Sequence, residues 1–172
     1  MVSLTQAQAW QVLEQVPDPE LPAVSICELG IVREVLTDAD AVTVVVTPTY
    51  SGCPATELIA GDIRAALFRA GAGTVDVRTR LSPAWSSDWI SAEARDKLRA
   101  HGIAPPQAGV PQPSLQPLRF VPRSLPNVLR ALPCPRCGST RTTRLSEFGS
   151  TACKALYRCE DCREPFEYFK EI

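Results

Sequence analysis

Two Cys-x-x-Cys pairs near the end of the chain constrain its fold more than any other feature of the sequence. Cys134 and Cys137 form the first pair, and after a further 21 residues Cys159 and Cys162 form the second. Two such pairs bring four thiolates to one tetrahedral centre, which zinc accepts without redox chemistry. Residues 134–172 carry little apolar core of their own and need such a cross-link to fold. The tail is therefore predicted to be a ribbon around a structural zinc, with no open position for catalysis.

Two alternatives for these four cysteines stay open from the sequence alone. They could form two disulfides, or they could hold iron in a rubredoxin-like site.

Strands are predicted on both sides of a turn at Gly149-Ser150, and "EPFEYFK" supplies a third strand. Cys153 lies six residues before Cys159 on the same predicted strand, about 20 Å from it at the usual rise per residue. It is interpreted as a packed residue and not as a ligand of the ribbon metal.

A proline-rich segment, residues 102–133, precedes the ribbon. It holds eight of the sixteen prolines and no acidic residue. Proline removes a backbone donor and moves its predecessor out of the helical region, so the segment is predicted to be an extended linker. Limited proteolysis is expected between about Gln107 and Arg130. The predicted organisation is a front domain at 1–101, a linker at 102–133 and a ribbon at 134–172.

Periodicity in residues 1–101 predicts a small α/β domain with the order α-β-β-α-β-α. Thr5 and Ser91 are the expected N-caps of the first and last helices. The second strand, in "AVTVVVTPT", is apolar at nearly every position and is typical of an inner strand. The middle helix, in "PATELIAGDIRAALFRAG", is expected to bury one face, made of Leu58, Ile59, Ile63, Ala66 and Leu67.

One cysteine lies between a glycine and a proline, in "TPTYSGCPATELI", where this inner strand turns into the middle helix. Unpaired N–H groups and the positive end of the helix dipole would lower the pKa of Cys53 and favour the thiolate. A thiolate can bind a metal, attack an electrophile or hold a sulfur-bound cluster; the alternative is a small core residue. Asp18 and Glu20, in "PDPELP", are either turn and cap residues or carboxylates that complete a metal site. Cys27 is interpreted as a core residue.

Composition argues against several other classes of protein. The formal net charge is −1. The ribbon's formal charge of +1 falls to about −1 once a four-cysteine zinc centre is counted, so nucleic-acid binding is not expected. No apolar stretch approaches the roughly 18 residues of a membrane span, and the start has no signal-peptide pattern. A reducing, cytoplasmic setting is therefore expected. The sequence has neither the Glu-x-x-His pairs of a di-iron carboxylate oxygenase nor the glycine motif of a dinucleotide-binding fold, so neither class is expected.

The motifs of the front domain resemble a known family. "VPDPELPAVSICELGIV", followed by "VVVTPTYSGCP" and a helix, is similar to the small α/β domain of iron–sulfur assembly proteins of the SufT and MIP type. The resemblance covers residues 10 to about 80. It implies that Cys53 is the reactive cysteine of the family, with Asp18 and Glu20 as its loop partners in transient binding of iron or an iron–sulfur cluster.

The whole chain resembles the PaaD family, the accessory proteins of the phenylacetyl-CoA epoxidase system, most specifically in "SEFGSTACKALYRC" and "EPFEYFK". The resemblance implies a non-catalytic maturation factor in aerobic phenylacetate breakdown. Its partners would be a di-iron oxygenase, an iron–sulfur flavoprotein reductase, or both. A scaffold subunit with no role in cofactor transfer is the alternative.

Overall fold

The computed structural model describes residues 4–50, 52–106 and 132–170, and most of the predicted linker, including the expected cleavage segment, lies outside them. We call residues 4–106 the front region and residues 132–170 the ribbon. The front region contains α1 (Gln6–Leu13), β1 (Val32–Asp38), β2 (Ala41–Val46), α2 (Thr56–Arg69), β3 (Thr74–Thr79), a 3-10 turn (Ser87–Trp89), α3 (Ala92–Ala100) and β4 (Ile103–Ala104). The ribbon contains β5 (Thr142–Ser146), β6 (Lys154–Cys159) and β7 (Pro165–Phe169). The predicted mixed α/β fold class is confirmed.

The front region is built on a three-stranded sheet in the order β1-β2-β3. β1 runs antiparallel to β2, and β3 runs parallel to it on the other side. Val44 in the middle of β2 is fully buried, as expected for a β-branched residue in a strand with a neighbour on each side. The prediction of an inner strand is therefore confirmed.

The helices cover this sheet with apolar faces and begin at the expected caps. The Thr5 hydroxyl accepts from the backbone N–H of Gln8 in a capping box, and the Ser91 hydroxyl accepts from Ala94. Helix α2 buries Ile59, Ile63, Ala66 and Leu67, since these positions share one face at helical spacing. The prediction for Leu58 is wrong: this residue is 60% exposed, because it lies about 100° around the helix from Ile59, on the exposed side with Asp62, Ala65 and Arg69.

The ribbon forms a second sheet in the order β4-β7-β6-β5. The strands β5, β6 and β7 pair antiparallel, as predicted. The fourth strand comes from the front region: β4 lies parallel to β7, with Ile103 opposite Glu167. Regular structure therefore continues into the first residues of the segment predicted as a linker.

Side chains of the ribbon also enter the core of the front region. Phe169 is 1% exposed and meets Trp85 edge to face, with ring centroids 5.9 Å apart. The indole N–H of Trp85 donates to the carbonyl of Leu29 at 3.0 Å, which fixes the ring that receives Phe169. Burying a phenylalanine stabilises by about 1.5–3 kcal/mol. The ribbon therefore packs on the front region in addition to being joined to it by the chain, while the domain boundaries at 101 and 134 stay predictions.

Candidate functional site

The four cysteines of the two Cys-x-x-Cys pairs lie on two facing turns of the ribbon. The carbonyl of Cys134 accepts from the N–H of Gly138 at 2.8 Å, and Gly138 has the positive φ of 76° that this tight turn requires. Cys159 ends β6, and its N–H donates to the carbonyl of Glu164 at 3.0 Å, which closes the second turn. Each turn thus presents two sulfur atoms toward the other.

The sulfur geometry fits a tetrahedral metal ion. The Sγ atoms of Cys134 and Cys162 are 3.8 Å apart, those of Cys137 and Cys159 are 3.6 Å apart, and all four lie within 4.8 Å of one another. A tetrahedron with zinc–sulfur bonds of about 2.3 Å needs sulfur atoms about 3.8 Å apart. All four sulfurs are unpaired thiols and none is in a disulfide. The cluster can therefore bind a metal ion, and a four-sulfur set leaves no position open for a substrate.

Cys53 lies in the turn between β2 and α2. Its N–H donates to the carbonyl of Tyr50 at 3.2 Å, and its own carbonyl accepts from the N–H and the hydroxyl of Thr56. The helix begins at Thr56, so Cys53 lies three residues before its first residue and not in its first turn. Its side chain is only half-buried.

The electrostatics of Cys53 differ from the prediction. Burial raises the pKa of its thiol above the ordinary value, and the carboxylates of Glu20 and Asp18 raise it further. The backbone N–H of Ala55 acts in the opposite direction but does not outweigh these effects. The predicted effect of the helix terminus therefore does not prevail where no cation is bound, and the protonated thiol is the favoured form. A cation beside the sulfur would reverse this balance.

Asp18 and Glu20 lie on the loop that faces this turn. Asp18 is 5% exposed, and its Oδ1 accepts from the N–H groups of Glu20 and Leu21 at 2.9 Å each. Burial raises the pKa of Asp18, while these two hydrogen bonds lower it. Asp18 thus shapes the turn, as one of the two sequence interpretations proposed. Both carboxylates also line one small cavity together with Cys53, as the other interpretation required.

The ribbon supplies a further thiol to this cavity, which the sequence did not reveal. Cys153 is 3% exposed, as expected for a packed residue, but it packs into the core of the front region. Its Sγ lies 3.5 Å from Oε2 of Glu20, and it lines the cavity with Cys53, Asp18 and Glu20. No local sequence pattern could have placed Cys153 in the same cavity as Cys53, because this placement depends on how the ribbon docks on the front region. Cys27 faces a different pocket, beside Glu14 and Glu28.

The structure joins a small α/β region to a ribbon with a four-cysteine cluster, and comparisons with known proteins identify both parts. Residues 6–81 match the family described as iron–sulfur cluster assembly protein, and residues 121–170 match the PaaD zinc beta ribbon domain. A protein of Escherichia coli (strain K12), described as a "Putative 1,2-phenylacetyl-CoA epoxidase" subunit, is 47% identical over 165 residues, which is 96% of this chain and 92% of that protein. The chain belongs to the PaaD family.

Two further relatives match the front region. An "Fe-S protein maturation auxiliary factor" of Porphyromonas gingivalis (strain ATCC BAA-308 / W83) is 35% identical over 96 residues, covering 55% of this chain and 90% of that protein. The crystal structure of a domain of unknown function, DUF59, from Bacillus anthracis is 30% identical with a TM-score of 0.51, covering 54% of this chain and 90% of that one. Among the described residues, no helix has the length and apolar character needed to cross a membrane.

Proposed function

We propose that this protein is a non-catalytic maturation factor that assists iron or iron–sulfur cofactor assembly in a cytoplasmic phenylacetyl-CoA epoxidase system. The observation that carries the proposal is the position of Cys53, half-buried in a cavity with Asp18 and Glu20. A thiol and two carboxylates are ligands that iron accepts, and the 47% identical relative is described as an epoxidase subunit. The 35% identical relative, described as a maturation factor, supports the same role for the front region.

Each region has its own part in this proposal. Cys53 is the transient ligand of the iron or iron–sulfur cluster that is transferred, and Asp18 and Glu20 assist Cys53 from the neighbouring loop. The ribbon holds zinc through Cys134, Cys137, Cys159 and Cys162 as a permanent structural element, since a centre with four protein thiolates has no free position for chemistry. The clients are the di-iron oxygenase, the iron–sulfur flavoprotein reductase, or both.

The test is cofactor loading of the clients in cells. The oxygenase and the reductase are purified from cells that produce wild-type protein, Cys53→Ser or Cys27→Ser, and their iron and acid-labile sulfide are measured. We expect Cys53→Ser to leave apo-client and to abolish growth on phenylacetate, while Cys27→Ser behaves as wild type. Normal loading with Cys53→Ser would overturn the proposal and leave a scaffold role as the function.

A further inference from the structure

The cavity beside Cys53 is closed by the ribbon. Phe169 and Cys153 form its ribbon side, while Asp18, Glu20 and Cys53 line the side of the front region. Cys153 stands immediately before β6, and its carbonyl accepts from the N–H of Lys170 at 2.9 Å across the sheet. The ribbon backbone thus holds this thiol against the front region.

The contacts of Cys153 set it among groups that bind metals. Its Sγ lies 3.0 Å from the hydroxyl of Thr151 and 3.5 Å from the carboxylate of Glu20. The hydrogen bonds from the backbone N–H groups of Glu20 and Leu21 to the buried Asp18 carboxylate both end on Oδ1. Lys154, the buried cation next to Cys153 in the sequence, already forms an ion pair with Glu167, in which its Nζ lies 3.0 Å from Oε2.

The size of the cavity limits what it can hold. Its volume is about 10 Å³, which is room for one water-sized occupant. A cluster with two or more iron atoms would need the ribbon to move away from the front region. A single ion is therefore the occupant that the closed arrangement fits.

We propose that Cys153 is the second thiol ligand of the Cys53 site, and that the two sulfurs together with Glu20 bind one divalent transition-metal ion under the ribbon. Sulfur with carboxylate oxygen suits borderline ions such as Fe²⁺, Co²⁺ and Zn²⁺ over Mg²⁺ or Ca²⁺. The choice of ferrous iron as the natural ion rests on the proposed function. Oδ2 of Asp18 is the fourth ligand atom in this proposal.

This site differs from the ribbon centre in how far its ligands have already converged. Among the described residues, only the ribbon cysteines form a group whose ligand atoms all lie within 4.8 Å of one another. The ligands around Cys53 must draw together when an ion enters, and that reorganisation weakens binding. Weak binding suits an ion that is later handed on.

The experiment is an anaerobic titration of the full-length, zinc-loaded protein with Co²⁺, followed by sulfur-to-cobalt charge-transfer absorption, whose intensity rises with the number of thiolate ligands. Wild type is expected to bind one equivalent with two-thiolate intensity. Cys53→Ser and Cys153→Ala should each lose about half of that intensity and bind at least about tenfold more weakly. Cys27→Ser is the matched control, since this thiol also lies beside carboxylates but faces another pocket, and it should titrate as wild type.

A second measurement keeps the test independent of variant folding. Wild-type protein is alkylated with and without Co²⁺, and the modification of each cysteine is read by mass spectrometry. Co²⁺ should protect Cys53 and leave Cys27 unprotected, while Cys153, which is 3% exposed, should stay unmodified in both samples and is tested by the titration of its variant. Alkylation of Cys53 that Co²⁺ does not slow, or full charge-transfer intensity in Cys153→Ala, would overturn the proposal.

Client loading in cells separates this proposal from the proposed function. Loading that requires Cys53 but proceeds normally with Cys153→Ala would overturn the two-thiol site and leave the maturation role standing. Loading that proceeds normally with Cys53→Ser would overturn the maturation role, whatever the cobalt titration shows.

Discussion

The chain carries two groups of thiols, one in the ribbon and one in the cavity, and they differ in how closely the fold brings their sulfur atoms together. In the ribbon, Cys134, Cys137, Cys159 and Cys162 come from two turns of one small sheet and are already at tetrahedral spacing. In the cavity, Cys53 and Cys153 come from different regions and share the space with carboxylates. The first arrangement suits a permanent metal, because its ligand set is complete and preformed. The second suits a transient ion, because its ligands are fewer and have not converged.

The comparison also shows that the cavity depends on the ribbon. The ribbon has a small core, made of Leu132, Cys134, Cys159 and Phe166 together with Ala104 of the front region. So small a core depends on the metal to hold the ribbon sheet. The same sheet positions Cys153 and Phe169 over the Cys53 cavity. The sheet that carries the four-cysteine cluster therefore also positions the thiol and the ring that cover the Cys53 cavity.

The largest expected effect comes from breaking the ribbon centre. Cys159→Ser should abolish the tightly bound metal and unfold the ribbon, because a structural zinc contributes about 10–16 kcal/mol to folding. The front region should then melt at a lower temperature, since it loses Phe169 and Cys153 from its core. Metal analysis and thermal unfolding measure both effects, with Cys27→Ser as the control that keeps one equivalent of metal. Retention of that metal by Cys159→Ser would contradict the four-sulfur assignment.

A smaller effect should come from detaching the ribbon without touching its metal. Phe169→Ala removes a ring that is 1% exposed and packs on Trp85, at a cost of about 3–5 kcal/mol. We expect lower stability to urea, full ribbon metal, and faster alkylation of Cys53 because its cover is loosened. Phe148 is the matched control, since it is 63% exposed and Phe148→Ala should cost less than about 1 kcal/mol. Unchanged alkylation of Cys53 in Phe169→Ala would show that the ribbon is not its cover.

The sequence predicted the parts of this comparison that depend on local pattern. The Cys-x-x-Cys spacing indicated the ribbon, and the strand-turn-helix pattern placed Cys53 at its turn. It placed Leu58 on the buried face of α2, although this residue lies on the exposed side. It could not weigh the helix terminus against burial at Cys53, because burial was not visible. The position of Cys153 at the cavity and the strand at Ile103 could not be predicted, since both arise from docking of the ribbon on the front region.

The wall of the cavity can be strained without altering any thiol. Gly30 follows Leu29, which lines the cavity, and has a φ of 70°; a Cβ there would lie 2.6 Å from the Cβ of Trp89. Gly30→Ala should therefore destabilise by about 2–3 kcal/mol. Gly61, in α2, has no atom within 4 Å of an added Cβ, so Gly61→Ala should stabilise by about 0.5–1 kcal/mol. Urea unfolding of both variants tests the opposite signs, and equal stability would contradict the close approach at Trp89.

The smallest expected effect concerns Cys27, the thiol that belongs to neither group. Burial raises its pKa to about 12 from an ordinary value of 9.0, and the carboxylates of Glu14 and Glu28 add to the rise. A raised pKa means that the folded state keeps the proton longer than the unfolded state. The stability that this thiol contributes is therefore complete below about pH 9 and is lost as the pH rises toward 12. Cys27→Ala should remove that alkaline loss, so its unfolding free energy should fall less than that of wild type between pH 7.5 and 10.5, by on the order of 1 kcal/mol. Thermal unfolding at the two pH values measures the difference, and it cancels the constant cost of removing a partly buried side chain. Equal losses of unfolding free energy in both proteins would show that Cys27 titrates as an ordinary exposed thiol and that burial does not raise its pKa.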